Sequence, residues 1–595
     1  SALEALTVAG YVGRFESAQF AQHYRFLRLL EHRIQLSNMR RTHLMPTSEV
    51  ARRALARSVN LKWTADEMID RWEAVKLEVR SLHQKLFYRP LLSAVAKLDG
   101  QSLELSSEQV YDRLKAIGFE DPKGALVHIQ ALTSGLSRRA AIQKQLLPVL
   151  LQWFAEGTDP DSALLAFRRL SEDLGESHWY LRMLRDSSGA ARAMTQVLAN
   201  SRLATELFEK IPEAAAWFER DEDLIPMNPD ELRTEVLSVI SRHQTIDAAA
   251  AAIRHIRRRE TLRVSIGAVL GTLTLDDVMA GITDLAEAYL LGLLECVMSF
   301  EDSGVSEVPV RDVLDLGIVA MGRFGGAELG FGSDSDVMFV YQAAKPELGE
   351  KAQKVAERII AELKRIATDP LLEFELDLDL RPEGKKGAVA RSLESYAAYY
   401  ERWSDTWESQ ALLRARVIAG GPELSKAFTD LIDRYRYPTS LSESAVTEIR
   451  RIKARVENER LPQGADPKRH MKLGRGSLSD VEWLVQLLQL KYGAQHPSIR
   501  TPRTLDALHA CVAADLIAEH DARVLEEAWL LASRARSASV LWCNKRTDVL
   551  PTDRKQLEGM ARILEYPRGG AAQLEEDYLA FTRRARAVFE RVFYV

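Results

Sequence analysis

Gly322 to Tyr341 reads GRFGGAELGFGSDSDVMFVY, and the reading of this stretch decides the fold. The apolar run LGIVAM (Leu316 to Met321) precedes it, and VMFV (Val337 to Val340) follows the acidic pair. Short apolar runs bounded by glycine and Ser-Asp are strand signals. The spacing therefore predicts strand, glycine turn, short helix, strand. Asp334 and Asp336 open the second strand. Side chains two apart on a strand face one way, with Cα atoms about 7 Å apart. Two carboxylates at that spacing can hold a divalent cation, and Mg²⁺ favours a few such oxygens together with phosphate and water. The pair Gly325-Gly326 lets backbone N–H groups come close to a polyphosphate.

A third carboxylate is expected from a neighbouring strand. Leu371 to Arg381 reads LLEFELDLDLR, with Glu373, Glu375, Asp377 and Asp379 on one face and apolar residues on the other. That alternation predicts a half-buried strand, with Asp377 or Asp379 at the metal site and Glu373 and Glu375 solvated. Arg381 opens a Pro-Gly turn, where its planar, permanently charged fork suits a phosphate oxygen or, equally, the same carboxylates. Trp403, Trp407, Ala411 and Arg414 recur at helical spacing and predict a core-facing helix, with Glu408, Arg414 and Arg416 as a polar network behind the site. Lys472 to Glu482 (KLGRGSLSDVE) is a glycine-rich turn into a helix, with Ser479 or Asp480 as its cap or with Lys472 touching a nucleotide. The basic run Arg254 to Arg263 reads as a solvated helix face or as the border of a phosphate site.

The Gly-rich turn followed by D-x-D resembles the polymerase-β-like nucleotidyltransferases. Taken together, MGRFGGAELGFGSDSD, DLDLRPEG, TWESQALLRAR and KLGRGSLSDVEW resemble the glutamine synthetase adenylyltransferase family, over most of residues 240–595. Arg323 stands where that family usually has lysine, and Asp379 replaces the usual first arginine of D-x-R-L-R-P; by motif position Asp377 is the third carboxylate. The resemblance implies a mainly α protein whose helical domains flank a small mixed sheet, an α/β nucleotidyltransferase core. It implies two Mg²⁺ ions on Asp334, Asp336 and Asp377, with Asp377 or Asp379 helping to deprotonate the acceptor. ATP would be held by Gly325, Gly326, Ser333, Arg323, Arg381 and Lys472. The acceptor would be a tyrosine hydroxyl of glutamine synthetase, with the PII signal protein and glutamine as regulators. Phosphorolytic removal of AMP, uridylyl transfer to PII and a catalytically inert adaptor are the competing readings.

The full-length family has two homologous halves, one removing AMP and one attaching it. An internal repeat assigns this chain to the second. MRRTHLMPTSEVARRALAR (from Met39) and NKRTDVLPTDRKQLEGMAR (from Asn544) share Arg41-Thr42 with Arg546-Thr547, Pro46-Thr47 with Pro551-Thr552 and Ala56-Arg57 with Ala561-Arg562; Phe87-Tyr88 echoes Phe593-Tyr594. One D-x-D unit lies between the copies, so the chain is expected to begin in the tail of an upstream half. Ser479-Asp480-Val481-Glu482 resembles the T-D-I-E of the attaching half.

Residues 1–100 are predicted as that helical tail, 101–235 as a helical linker, 236–430 as the catalytic domain and 431–595 as a second helical domain. The net charge of −5 argues against a nucleic-acid partner, which wants a basic surface. The three cysteines, Cys296, Cys511 and Cys543, are too scattered for a disulfide framework or zinc site. No apolar run approaches membrane-spanning length, and a cytoplasmic protein is expected.

Overall fold

A computed structural model describes residues 14–39, 42–83, 107–134, 137–304, 308–403, 405–462 and 464–594, with isolated positions before 14. Arg41, Phe87 and Tyr88 of the repeat, and the expected boundary at residue 100, lie outside the described residues. The chain is mostly helical with one small mixed sheet. It divides into two compact units, Ser1–Ala199 and Asn200–Val595. No helix among the described residues is long and apolar enough to cross a membrane.

In the first unit, helices Arg14–Asn38, Glu49–Val59 and Ala65–His83 close over Leu30, Ile34, Leu55, Ala56 and Met68. Further helices follow from Ser107 onward. The repeat is legible in local structure. Ser48, after Pro46-Thr47, accepts a hydrogen bond from Ala51 N and starts Glu49–Val59. Asp553, after Pro551-Thr552, does the same from Gln556 N and starts Arg554–Ile563. Both are N-caps that satisfy an orphan amide of the first turn.

The second unit holds the sheet. Strands β1 (Leu314–Ala320) and β2 (Ser335–Ala343) are antiparallel, with Ile318 opposite Phe339. β3 (Leu376–Asp377) and β4 (Ala390–Ser392) run parallel to β2, and β5 (Arg416–Ala419) pairs with β1. Leu316, Ile318, Ala320, Val337, Phe339 and Tyr341 face one apolar cluster; Val319, Met321, Met338 and Val340 face another. Both faces are thus covered, which is why these strands read as continuous apolar runs. The first face packs on helix α1 (Ile246–Leu270), helix α2 (Leu275–Gly304) and Gly349–Ala367. The last buries Ala352, Val355, Ala356, Ile359, Ile360 and Leu363, a helical stripe. The second face packs on Tyr396, Tyr400, Leu424 and Phe428. Each large apolar side chain buried this way contributes about 1.5–3 kcal/mol.

The run Leu371 to Arg381 is not the long strand its alternation predicts. Only Leu376–Asp377 pairs with β2. Asp377 Oδ1 accepts the Asp379 amide at 2.7 Å, and Arg381 N bonds Leu378 O at 3.3 Å, so the chain turns. This local side-chain bond competes with the ladder. The Trp403–Arg414 helix is also two, Leu393–Trp403 and Thr406–Leu412, and Trp403 is exposed rather than core-facing. Beyond β5 the unit is helical, including α3 (Leu478–Tyr492) and α4 (Glu519–Cys543). Lys453, fully buried, is held there by Asp480 at 2.6 Å and Glu457 at 3.2 Å.

Candidate active site

The register of β2 and β3 places Asp336 directly opposite Asp377. Asp334 precedes them at the mouth of β2. The turn between β1 and β2 returns beneath them, where Met321 N bonds Asp336 O at 2.8 Å. Gly322 has φ +52°, and a Cβ built there would overlap the Asp336 carboxylate. Glycine is therefore needed at 322 twice over, for its backbone and for the room it leaves the acid.

Burial, followed by the Asp377 charge, pushes the Asp336 carboxyl up to about 7; Asp334 adds to this, and Lys472 and Arg414 oppose it. Neither Asp336 nor Asp377 forms an ion pair among the described residues. Asp334 is engaged: Arg546 Nη1 lies 2.9 Å from its Oδ1. No three His, Cys, Asp or Glu side chains among the described residues surround a common point, so the three-carboxylate cluster is not assembled as expected. The chemistry of the remaining pair still fits Mg²⁺. Two hard carboxylates without ion-pair partners sit at paired positions of neighbouring strands, and one is buried at an electrostatic cost that a divalent cation would relieve.

Several residues expected at the nucleotide do other work. Gly325 N and Gly326 N are spent on Met321 O at 2.8 Å and Gly322 O at 3.1 Å. A Cβ at Gly325 would overlap the Arg414 carbonyl, and one at Gly326 the Arg414 guanidinium, so this pair makes room for Arg414. Arg323 is turned away under the helical part. It donates to Glu328 O at 2.9 Å and lies over the Trp529 ring, and burial lowers its guanidinium to about 10. Arg381 forms no ion pair with a carboxylate among the described residues. Its nitrogens donate to the carbonyls of Leu378 at 2.7 Å, Gly387 at 3.1 Å and Lys385 at 3.1 Å, stapling the turn after Asp377. Asp379 is on the surface beside Lys385 Nζ at 3.2 Å, away from the Asp336–Asp377 register. The Ser333 hydroxyl accepts Gly330 N at 3.0 Å and lines a cavity of about 620 Å³ beside the acids.

The supporting shell also differs from expectation. Buried Glu328 binds Arg414, and accepts from the Thr504 amide and hydroxyl; Arg414 also lies 3.4 Å from Glu482. Arg416 pairs with Glu287, whereas Glu408 closes its own capping box and accepts the Tyr399 hydroxyl at 2.9 Å. The α3 N-cap is Ser477, not Ser479 or Asp480, which belong to the Lys453 network. The basic run 254–263 is not a solvated face: Arg257 is buried and lines the same cavity as Ser333. Arg257 donates to the carbonyls of Leu372 and Glu373, both at 2.8 Å, and Arg258 grips Asp369, fixing the segment that leads to Asp377. Glu373 and Glu375 are exposed, as expected, and both also meet Arg546. Arg546 is the site residue the sequence reading passed over, although the repeat had marked its position.

Residues 191–431 match the family model described as glutamate-ammonia ligase adenylyltransferase. Residues 1–87 and 449–593 match the model described as GlnD PII-uridylyltransferase, so one helical unit is recognised at both copies of the repeat. The chain is 54% identical to a bifunctional glutamine synthetase adenylyltransferase/adenylyl-removing enzyme of Leifsonia xyli subsp. xyli, over 100% of this chain and 59% of the relative. It is 45% identical to the enzyme of that description from Streptomyces avermitilis, over 100% of this chain and 61% of that one. Over its whole length the chain is similar to these adenylyltransferase/adenylyl-removing enzymes. It spans about three-fifths of the length of the curated relatives it matches.

Proposed function

We propose that the chain is a polymerase-β-like, Mg²⁺-dependent adenylyltransferase that moves AMP from ATP to a tyrosine hydroxyl of glutamine synthetase. The observation that carries this reading is the in-register pair Asp336–Asp377, set over Gly322 and flanked by Asp334, within the segment matching the adenylyltransferase family. Asp336 and Asp377 would hold the metal, and Asp334 would join them. Bound Mg²⁺ would neutralise the triphosphate and stabilise the attacking and leaving oxygens. The tyrosine oxygen bonds to the α-phosphorus, the bond from that phosphorus to the bridging oxygen breaks, and pyrophosphate leaves. Asp377 takes the tyrosine proton and returns it to water. Lys472, exposed at the site's edge and acting on the Asp336 charge, supplies a cation for the phosphates. The remaining work of the chain is orientation, which dominates such transfers.

Phosphorolytic removal of AMP is the second reading, because the relatives' printed names include it. The repeat favours attachment: the matching helical segments flank a single carboxylate unit. Uridylyl transfer is less favoured, since the uridylyltransferase match falls on those helical segments and the carboxylates fall in the adenylyltransferase match. Regulation by PII is supported by the name of that second family; glutamine as a regulator and a cytoplasmic setting rest on the family resemblance. The test is α-labelled ATP, Mg²⁺ and unmodified glutamine synthetase. Label on the synthetase that disappears with Asp336→Asn supports attachment. No label, with ADP released from adenylylated synthetase on adding phosphate, overturns it in favour of removal.

A further inference from the structure

Arg546 sits on the loop that follows α4, just after Asn544 turns the chain at φ +49°. Its Nη1 is 2.9 Å from Asp334 Oδ1 and 3.0 Å from Glu375 Oε2, and its Nε is 3.6 Å from Glu373 Oε2. The stem lies over Gly332, where a Cβ would come within 3.1 Å of Arg546 Cγ. The loop is anchored. His470 and Val549 form an antiparallel bridge, Met471 N bonds Asp548 O at 2.6 Å, and Leu550 N bonds Arg469 O at 2.8 Å. One backbone pairing thus brings both Lys472 and Arg546 from the helical part to the acids. Three carboxylates share one half-exposed guanidinium at the rim of the cavity of about 620 Å³.

A guanidinium cannot shed its charge, so it leaves one anion only for another. While Arg546 holds Asp334, that carboxylate is withheld from a cation at Asp336–Asp377. A bound nucleotide polyphosphate offers Arg546 a denser anion, reachable by rotation of its long side chain, and bidentate recognition suits it.

Resting on the proposed function, we infer that Arg546 exchanges partners. It holds Asp334 away from the metal position in the nucleotide-free protein, and it binds the donor's polyphosphate once Asp334 turns to the metal. Metal and nucleotide binding are thereby coupled through a residue of the helical domain.

The test uses the full chain and Mn²⁺ alone as the probe, followed by electron paramagnetic resonance, together with the ATP KM of the transfer assay. Arg546→Ala is expected to tighten nucleotide-free Mn²⁺ binding about tenfold and to raise the ATP KM about tenfold, with the KM for the acceptor unmoved. Arg546→Lys is expected to fall between. Glu375→Gln removes a competitor for Arg546, strengthens its hold on Asp334 and weakens Mn²⁺ binding. A purely structural Arg546 would move neither affinity in these opposed directions. Mn²⁺ binding lost in Asp336→Asn but unchanged in Arg546→Ala overturns the exchange alone. Mn²⁺ bound equally by wild type and Asp336→Asn overturns the carboxylate site and the exchange together. An unchanged ATP KM in Arg546→Ala overturns the polyphosphate role.

Discussion

Gly322→Ala tests the geometry of the site with a single methyl group. Gly322 has φ +52°, a conformation that costs an L-residue with a Cβ roughly 1–2 kcal/mol. The new Cβ would also overlap the Asp336 carboxylate, well inside van der Waals contact, so either the acid or the turn must shift. Overpacking of this kind costs a further ~1–3 kcal/mol. The sum, about 2–5 kcal/mol, lowers the melting temperature by several degrees for a unit of this size. The greater effect is on activity. Displacing a reacting group by about 1 Å costs on the order of a hundredfold in rate, and Asp336 is the carboxylate that moves. The assays are a melting curve and initial rates of label transfer at saturating ATP. The matched control is Gly326→Ala, whose Cβ would meet the Arg414 guanidinium instead; it is expected to lose stability with a smaller loss of rate. If Gly322→Ala transfers label within threefold of wild type, Gly322 does not seat the catalytic carboxylate and the argument fails.

Three further outcomes follow from the same structure. The Asp336 carboxyl is pushed up to about 7 in the folded protein, above the unfolded value of about 3.9. The unfolded chain therefore ionises first, and metal-free stability falls as pH rises from about 4 to 7. In chelator, Asp336→Asn should melt higher than wild type at pH 8, with the gap closing toward pH 4; a pH-independent gap would contradict this. Glu328→Gln leaves Arg414 buried with a weakened partner and is expected to cost ~3–5 kcal/mol by denaturant titration, most of it restored by replacing Arg414 with Met in the same chain. Arg381→Ala removes three bonds to the carbonyls of the turn after Asp377, so it should lower the melting temperature and the rate while leaving the ATP KM unchanged. A raised KM with unchanged stability would return Arg381 to the phosphates.

The strands around the D-x-D were legible because their signals are local. Two apolar runs and a glycine turn within about two dozen residues leave few ways to pair. The repeat was legible too, since Pro-Thr followed by a capping Ser48 or Asp553 starts a helix wherever it occurs. The long strand read at Leu371 to Arg381 failed because periodicity does not register that Asp377 prefers the amide of Asp379 to a continued ladder.

Sequence alone determined the motif, the family it resembles and the order Asp334, Asp336, Asp377, because each is written in contiguous residues. Tertiary structure decided the roles of the glycines and arginines. Gly325 serves a passing carbonyl and Gly322 the acid, and Arg323 and Arg381 donate to backbone carbonyls. A glycine marks a close approach without saying what approaches, and an arginine satisfies a carbonyl, a carboxylate or a phosphate alike. Arg546 shows the same limit from the other side. It lies far along the chain from Asp334 yet within 2.9 Å of it, because a backbone bridge between His470 and Val549 anchors its loop at the site. Its partner is set by that long-range pairing, which no local pattern encodes.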